Sequence, residues 1–246
     1  PQLPLRVIET KYYLILTDLP DVEARKYLAY LDTLYDTMCR AFGIPVGNNI
    51  WCGKCVVVAF QNRADFIRFE VEVMKNTKGN PTKSGGICHA NANGRVVISL
   101  FKGDFTARFA TVLVHETSHG IVARFLSDVR IPSWLNEGMA VWIAEYVVKE
   151  DDTLEKSQRR SMATLRELKT LAGFFDAAQV PGEYYGCGSA MVDLLVRNDS
   201  IAFRQFFTNI KQGHSQEEAL QRAYQMTFAD LARLYGRRIG LPNRQT

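Results

Sequence analysis

Residues 111–120 read TVLVHETSHG and contain two of the four histidines of the chain. His115 and His119 are four positions apart, and Glu116 directly follows the first of them. On an α-helix, positions i and i+4 lie one turn apart on the same face. Both imidazole rings can therefore point at one ion, with the Glu116 carboxylate beside them. The flanking positions are mostly apolar, which predicts that this helix is buried around the two histidines.

This spacing is the HExxH arrangement of zinc metalloproteases, in which the histidines bind the metal and the glutamate acts as a base. The same letters also occur by chance in ordinary buried helices, so the motif alone leaves both interpretations open. A catalytic zinc ion takes three protein ligands and keeps one position for water. A metal site here therefore requires a third ligand from elsewhere in the chain.

Glu137 is the candidate for that third ligand. After His119 the helix is predicted to continue for about two turns and to end before SDVRIP, residues 127–132. The next helix is predicted to begin near Ser133 and to return antiparallel. At about 1.5 Å per residue, this return brings Glu137 back toward the histidines. The alternative is that Glu137 is a first-turn glutamate stabilised by the helix dipole.

The remainder of the chain predicts an α+β fold with a mixed first half and an all-helical second half. Strands are expected at 5–16, at 55–60 and in a hairpin around an Asn-Gly turn at 87–101. Helices are expected at the following positions: 21–43, 63–75, 104–128, 133–148, 153–171, 186–197, 200–211, 215–225 and 227–239. We expect one catalytic unit with a lobe at 1–128, a helical lobe at 129–246 and a cleft between them.

Composition narrows the class of protein. The 246 residues carry a formal net charge of +4, which gives no reason to expect nucleic acid as a partner. No apolar run approaches the roughly 18–20 residues that a membrane span needs. Because the chain begins with Pro1 and not Met, we expect a trimmed N-terminus, which favours an extracellular or periplasmic location. The five cysteines are odd in number and sparse, which does not indicate a disulfide framework, although one bridge is possible.

The stretch HETSH followed by PSWLNEGMAVW, residues 132–142, resembles the gluzincins, and among them the peptidase MA-like domains with a P-x-W-L-x-E-G-x-A second motif. The resemblance covers residues 113–142; outside them the chain follows the layout of that family more than its letters. It implies a zincin-like fold, with a twisted mixed sheet packed on the active-site helix and then an all-helical lobe. It also implies Zn²⁺ bound by His115, His119 and Glu137.

The resemblance further implies an oxyanion donor and a substrate strand. The segment YYGCGSAMVDLLV, residues 184–196, is similar to a family segment that begins with a transition-state tyrosine. Tyr185 is the favoured donor, with Tyr184 and His214 as alternatives. The second hairpin strand would be an edge strand that pairs with an extended peptide. Its residues are Val96, Val97, Ile98 and Ser99, although a purely structural strand predicts the same sequence.

The expected activity is therefore that of a zinc-dependent peptidase acting on a peptide or protein, with Glu116 as general base. The chain lacks the Gly-x-Met-Glu-Asn strand of related aminopeptidases, which favours an endopeptidase. Two alternatives remain: a non-catalytic, zinc-holding binding module and a redox protein using WCGKC, residues 51–55. Cys52 and Cys55 could also join Cys88 and His89 in a structural zinc site.

Overall fold

The computed structural model describes residues 4–45, 47–76, 81–103, 106–149, 153–168, 171 and 173–240. The described residues form an α+β fold with a five-stranded mixed sheet. Its strands are β1 (Arg6–Glu9), β2 (Tyr13–Thr17), β3 (Cys55–Phe60), β4 (Gly86–Ala90) and β5 (Val96–Phe101).

The helices are α1 (Asp21–Phe42), α2 (Arg63–Arg68), α3 (Thr106–Arg124), α4 (Ser133–Val147), α5 (Thr153–Leu168), α6 (Tyr185–Asn198), α7 (Ser200–Lys211), α8 (Gln216–Tyr224) and α9 (Phe228–Arg238). A π-helical turn at Phe69–Val73 continues α2, and short 3-10 turns lie at Pro81–Lys83 and Gly182–Tyr184.

Contacts divide the chain into two compact units. The first comprises Pro1–Arg40, Ile44–Arg124 and Tyr146–Asp151, and the second comprises Ala41–Gly43, Phe125–Glu145 and Asp152–Thr246. The main division falls between Arg124 and Phe125, a few residues before the expected boundary at 128. The cleft expected between two lobes stays a prediction.

The sheet of the first unit has the strand order β1-β2-β3-β5-β4. Its inner strands β2, β3 and β5 are parallel, and the outer strands β1 and β4 are antiparallel to their neighbours. The predicted single strand at 5–16 is wrong, because the chain reverses after Glu9 and forms two paired strands. The Thr10 side chain caps this reversal, since its hydroxyl accepts a hydrogen bond from the Tyr13 N–H at 3.0 Å.

Helix α1 of the first unit buries apolar residues at helical spacing. Helix α1 begins with acidic residues and places Leu31, Leu34 and Tyr35 in the core. Its Tyr35 ring stacks on Tyr12 with centroids 4.1 Å apart, which joins this helix to the start of β2. Gly43 ends the helix at φ +70°, where a side chain would be strained. The expected helix at 21–43 is confirmed.

The second unit consists of helices packed around Trp134, which is fully buried. The rings of Phe175, Phe206 and Phe228 lie 5.4–6.5 Å from the indole, and the indole N–H donates to Gln216 Oε1 at 3.0 Å. The helices predicted beyond residue 150 are confirmed to within a few residues at their ends, except that residues 169 and 170 of the helix predicted at 153–171 lie outside the described residues. A capping box begins α8, with Ser215 and Glu218 bonded reciprocally.

Helices α4 and α6 of the second unit approach each other at two glycines. A Cβ atom on Gly138 would lie 2.5 Å from the Gly188 carbonyl carbon, and one on Gly188 would lie 2.7 Å from the Trp134 carbonyl oxygen. Backbone atoms cannot move aside by changing rotamer as a side chain can, so neither position has room for a side chain. This contact fixes the helix that carries Glu137 against the helix that begins at Tyr185.

A carboxylate is buried in the first unit at the π-helical turn, where the sequence predicted regular helix. Glu70 is fully buried, and its side chain accepts hydrogen bonds from Ser99 Oγ at 2.5 Å and Asn76 Nδ2 at 2.7 Å. His89 Nε2 lies 2.9 Å from Glu70 Oε1. Burial acts to raise the pKa of Glu70, but the three hydrogen-bonding groups outweigh it and hold the pKa below its ordinary value. Glu70 thereby ties β4 and β5 to the turn after α2.

Because the pKa of Glu70 is lowered in the folded state, its carboxylate contributes its full stabilisation of the fold above pH 4.5, the ordinary pKa of a glutamate side chain. That stabilisation is lost as the pH falls through the folded-state pKa. We expect Glu70→Gln to lower the free energy of unfolding at pH 7 by about 1.5–3 kcal/mol, with a smaller difference from wild type below pH 4.5. Urea unfolding across this pH range measures it. The exposed neighbour Glu72→Gln is the control, and a wild-type difference independent of pH would contradict the account.

Candidate metal centre

The HExxH residues lie on one partly exposed face of α3. His115, Glu116 and His119 are half-buried, whereas Leu113, Val114, Thr117 and Ser118 are buried. This division follows the helical period, so the buried side chains anchor the helix and leave the other face open to a ligand. The predicted placement of the motif on a helix is confirmed.

The two histidines face each other. Their Nε2 atoms are 3.2 Å apart, and the ring planes are nearly perpendicular at 89°. Two nitrogens bound to one tetrahedral zinc ion at 2.0–2.1 Å are separated by about 3.3 Å. The pair therefore has the spacing that a shared ion requires. The backbone carbonyl of His115 also accepts a hydrogen bond from Ser118 Oγ at 2.7 Å.

Helix α3 lies close to the sheet because a glycine follows the second histidine. A Cβ atom on Gly120 would lie 2.8 Å from Val96 Cγ1 of β5 and 3.5 Å from the Trp51 ring. Val96 is stiff at χ1, and Trp51 is buried. The absence of a side chain at Gly120 thus sets the distance between the strand and the helix that carries the histidines.

Glu137 lies in the first turns of α4 and is half-buried. One ligand atom from each of His115, His119 and Glu137 lies within 4.8 Å of the others. Among the described residues this is the one group of three or more His, Cys, Asp and Glu side chains with such proximity. Two imidazoles and one carboxylate are a donor set that catalytic zinc uses, and the same donors bind other divalent first-row ions. The donor set fits the metal that the sequence predicted.

The residues considered as oxyanion donors lie in the second unit. Tyr185 is the first residue of α6 and is half-buried. Tyr184 precedes it, with its ring 6.1 Å from that of Phe174 and its pKa raised by burial. His214 lies just before α8, with Nδ1 3.7 Å from a Glu218 carboxylate oxygen and Nε2 3.3 Å from an Arg222 nitrogen. These charged neighbours fit a surface position for His214, and the role of Tyr185 stays a prediction.

The expected edge strand at Val96–Ser99 is wrong. Strand β5 pairs with β3 on one side and with β4 on the other, so its backbone groups already have partners on both sides. An extended peptide has no place to pair with it. The edge of the sheet on this side is β4, which is antiparallel to β5 and carries Gly86, Cys88 and Ala90 on one face.

All five cysteines are free thiols. Cys52 is exposed, whereas Cys55 begins β3 and is buried, so that desolvation raises the pKa of its thiol. Cys88 is half-buried on β4, and the neighbouring His89 is bonded to Glu70. The described residues contain no metal-binding group formed from these cysteines and His89.

Sequence reasoning missed Gly86 and Glu70. Gly86 opens β4 after Gly85, and a glycine within a strand is a known signal of close approach by a neighbouring group. Glu70 carries no such signal, because an isolated glutamate in an amphipathic helix is normally solvated. Only the strand pairing that brings His89 and Ser99 together explains its burial.

In the described part of the chain, no helix combines the length and apolar character needed to cross a membrane. Comparison with models of known protein families gives no match to this chain, and comparison with curated proteins gives none either.

Proposed function

We propose that this protein is a zinc-dependent peptidase of the gluzincin type. The observation that carries the proposal is the His115–His119 pair on one helix face, with Nε2 atoms 3.2 Å apart, Glu116 between them in sequence and a Glu137 ligand atom within 4.8 Å. A pair of histidines alone would fit many metal sites. The glutamate that follows the first histidine is what favours hydrolysis.

In this proposal His115, His119 and Glu137 hold the ion. Two neutral imidazoles and one carboxylate leave the loaded site with a net charge of about +1, which favours an anionic transition state. Bound zinc supplies a water of pKa near 7 and polarisation of the scissile carbonyl.

Glu116 is the proposed general base. Its carboxylate accepts a proton from the attacking water and donates that proton to the leaving amine nitrogen. The half-buried position of Glu116 suits this role, because partial exposure admits water and substrate while the helix holds the side chain in place. No covalent intermediate forms on the protein. The Tyr185 phenol is the proposed hydrogen-bond donor to the oxyanion.

In this proposal the strand that pairs with the substrate is β4. It takes the role that the sequence analysis assigned to β5. Among the described strands, none pairs with the outer side of β4. An extended peptide can therefore add to this edge through main-chain hydrogen bonds, with little selection of side chains. The first residue of β4, Gly86, lies against Glu116, which brings the edge strand next to the proposed base.

The zincin-like assignment is part of this proposal. It is supported by a mixed sheet that packs against α3 and by the run of helices that follows in the second unit. An endopeptidase remains the favoured class, since the aminopeptidase strand motif is absent from the sequence. The alternative is a zinc-holding binding module without turnover. The retained Glu116 argues against that alternative, because a module that only binds zinc has no need of a base.

The redox alternative is disfavoured by the position of Cys55. A CxxC redox pair needs a reactive thiolate, usually at the start of a helix. The first cysteine of this pair, Cys52, instead lies in a bend, and the chain runs from it directly into strand β3 at Cys55.

We expect Glu116→Gln to bind zinc like the wild type and to lose hydrolysis by about 100-fold or more, because the amide cannot accept the proton. Cleavage of a peptide library by equal amounts of zinc-loaded protein measures this. Glu217→Gln, a change at an exposed glutamate on α8, is the control and should keep full turnover. Retained turnover in Glu116→Gln would remove Glu116 as the base.

We expect iodoacetamide to alkylate Cys52 at least about tenfold faster than Cys55 in the folded protein, because Cys52 is exposed to the reagent, whereas Cys55 is buried and desolvation raises the pKa of its thiol. Peptide mass spectrometry quantifies the two sites, and the unfolded protein, in which both react alike, is the control. A reversible Cys52–Cys55 disulfide that protects both residues would favour the redox alternative instead.

A further inference from the structure

Gly86, the first residue of β4, lies directly under the side chain of the proposed base. A Cβ atom built on Gly86 would lie 3.0 Å from Glu116 Cγ, 2.8 Å from Val112 Cγ1 and 3.1 Å from Leu100 Cβ. Directly opposed residues on paired strands normally keep their Cβ atoms about 4.5–5.5 Å apart. The space above Gly86 is therefore already occupied from three directions.

The three neighbours differ in how freely they can move. Leu100 Cβ is fixed by the backbone of β5, which is paired with Gly86 in the sheet. Val112 is β-branched and has one strongly preferred rotamer in a helix. Glu116 Cγ belongs to an unbranched, half-buried side chain and is the most mobile of the three. A side chain at position 86 would therefore displace Glu116.

We propose that Gly86 is a positioning residue for Glu116. The absence of a side chain at position 86 lets the Glu116 carboxylate keep the position from which it acts as a base. The effect of Gly86 on catalysis rests on the proposed function. Its effect on the position of the Glu116 side chain rests on packing alone. It also explains why the edge strand begins with a glycine, which otherwise weakens a strand.

Gly85 offers a matched control. A Cβ atom on Gly85 would meet two atoms of the Val112 side chain at 3.5 and 3.8 Å, which is ordinary van der Waals contact, and neither atom belongs to Glu116. Gly85→Ala and Gly86→Ala thus add the same methyl group at adjacent positions. Only the second substitution crowds the base.

The test measures zinc content, kcat, KM and the crystal structure of wild type, Gly86→Ala and Gly85→Ala. We expect all three proteins to bind equal zinc, since neither glycine contacts the histidines in the proposed scheme. In Gly86→Ala the Glu116 carboxylate should move by about 1 Å and kcat should fall about 10- to 100-fold with KM within about twofold of wild type. Gly85→Ala should match the wild type in all respects.

Two results would overturn the inference. One is a crystal structure of Gly86→Ala in which Glu116 is unmoved. The other is a raised KM with unchanged kcat, which would mean that position 86 acts only through the binding strand. If Gly86→Ala does not fold because of Val112, the double variant Gly86→Ala/Val112→Ala is compared with Val112→Ala alone by the same criteria.

The crystallographic measurement separates this inference from the proposed function. If the wild type hydrolyses no peptide, the peptidase proposal fails, and the position of Glu116 in the Gly86→Ala structure still decides the positioning role. A displaced Glu116 supports it and an unmoved Glu116 overturns it.

Discussion

The helical repeat of α3 is the constraint on which the candidate site depends. Because residues four apart share a face, His115 and His119 point their Nε2 atoms at one another across 3.2 Å. The same repeat puts the buried residues Leu113 and Thr117 on the opposite side, where they hold the helix. A change in the pitch of α3 would alter the distance between the two nitrogens and the position of Glu116 at the same time.

Glycines set how closely other elements approach this helix and the next one. Gly120 brings α3 against β5, Gly86 leaves room for Glu116, and Gly138 lets α4 contact α6. In each case an added methyl group would meet an atom at less than 3 Å. The positions of the proposed base and of the proposed third ligand are therefore set by the lack of side chains nearby, as well as by the residues that do the chemistry.

Local patterns predicted the local structure well. The helices follow from apolar periodicity and the hairpin from its Asn-Gly turn, and both signals act within a few residues. The predictions that failed depend on distant parts of the chain. Whether β5 is an edge or an inner strand is decided by its pairing with β3, about 40 residues earlier in sequence. The π-helical turn at Glu70 likewise depends on partners from β4 and β5 that no local pattern indicates.

The central claim is a three-ligand zinc site, and zinc content tests it most directly. Wild type and Glu137→Ala are purified without added metal, and zinc per chain is measured by mass spectrometry. We expect about one zinc ion per wild-type chain and its loss or sharply weaker binding in the variant. Equal zinc in both proteins would show that Glu137 is not a ligand. No zinc in the wild type, even after zinc is added back, would contradict the metal centre as a whole.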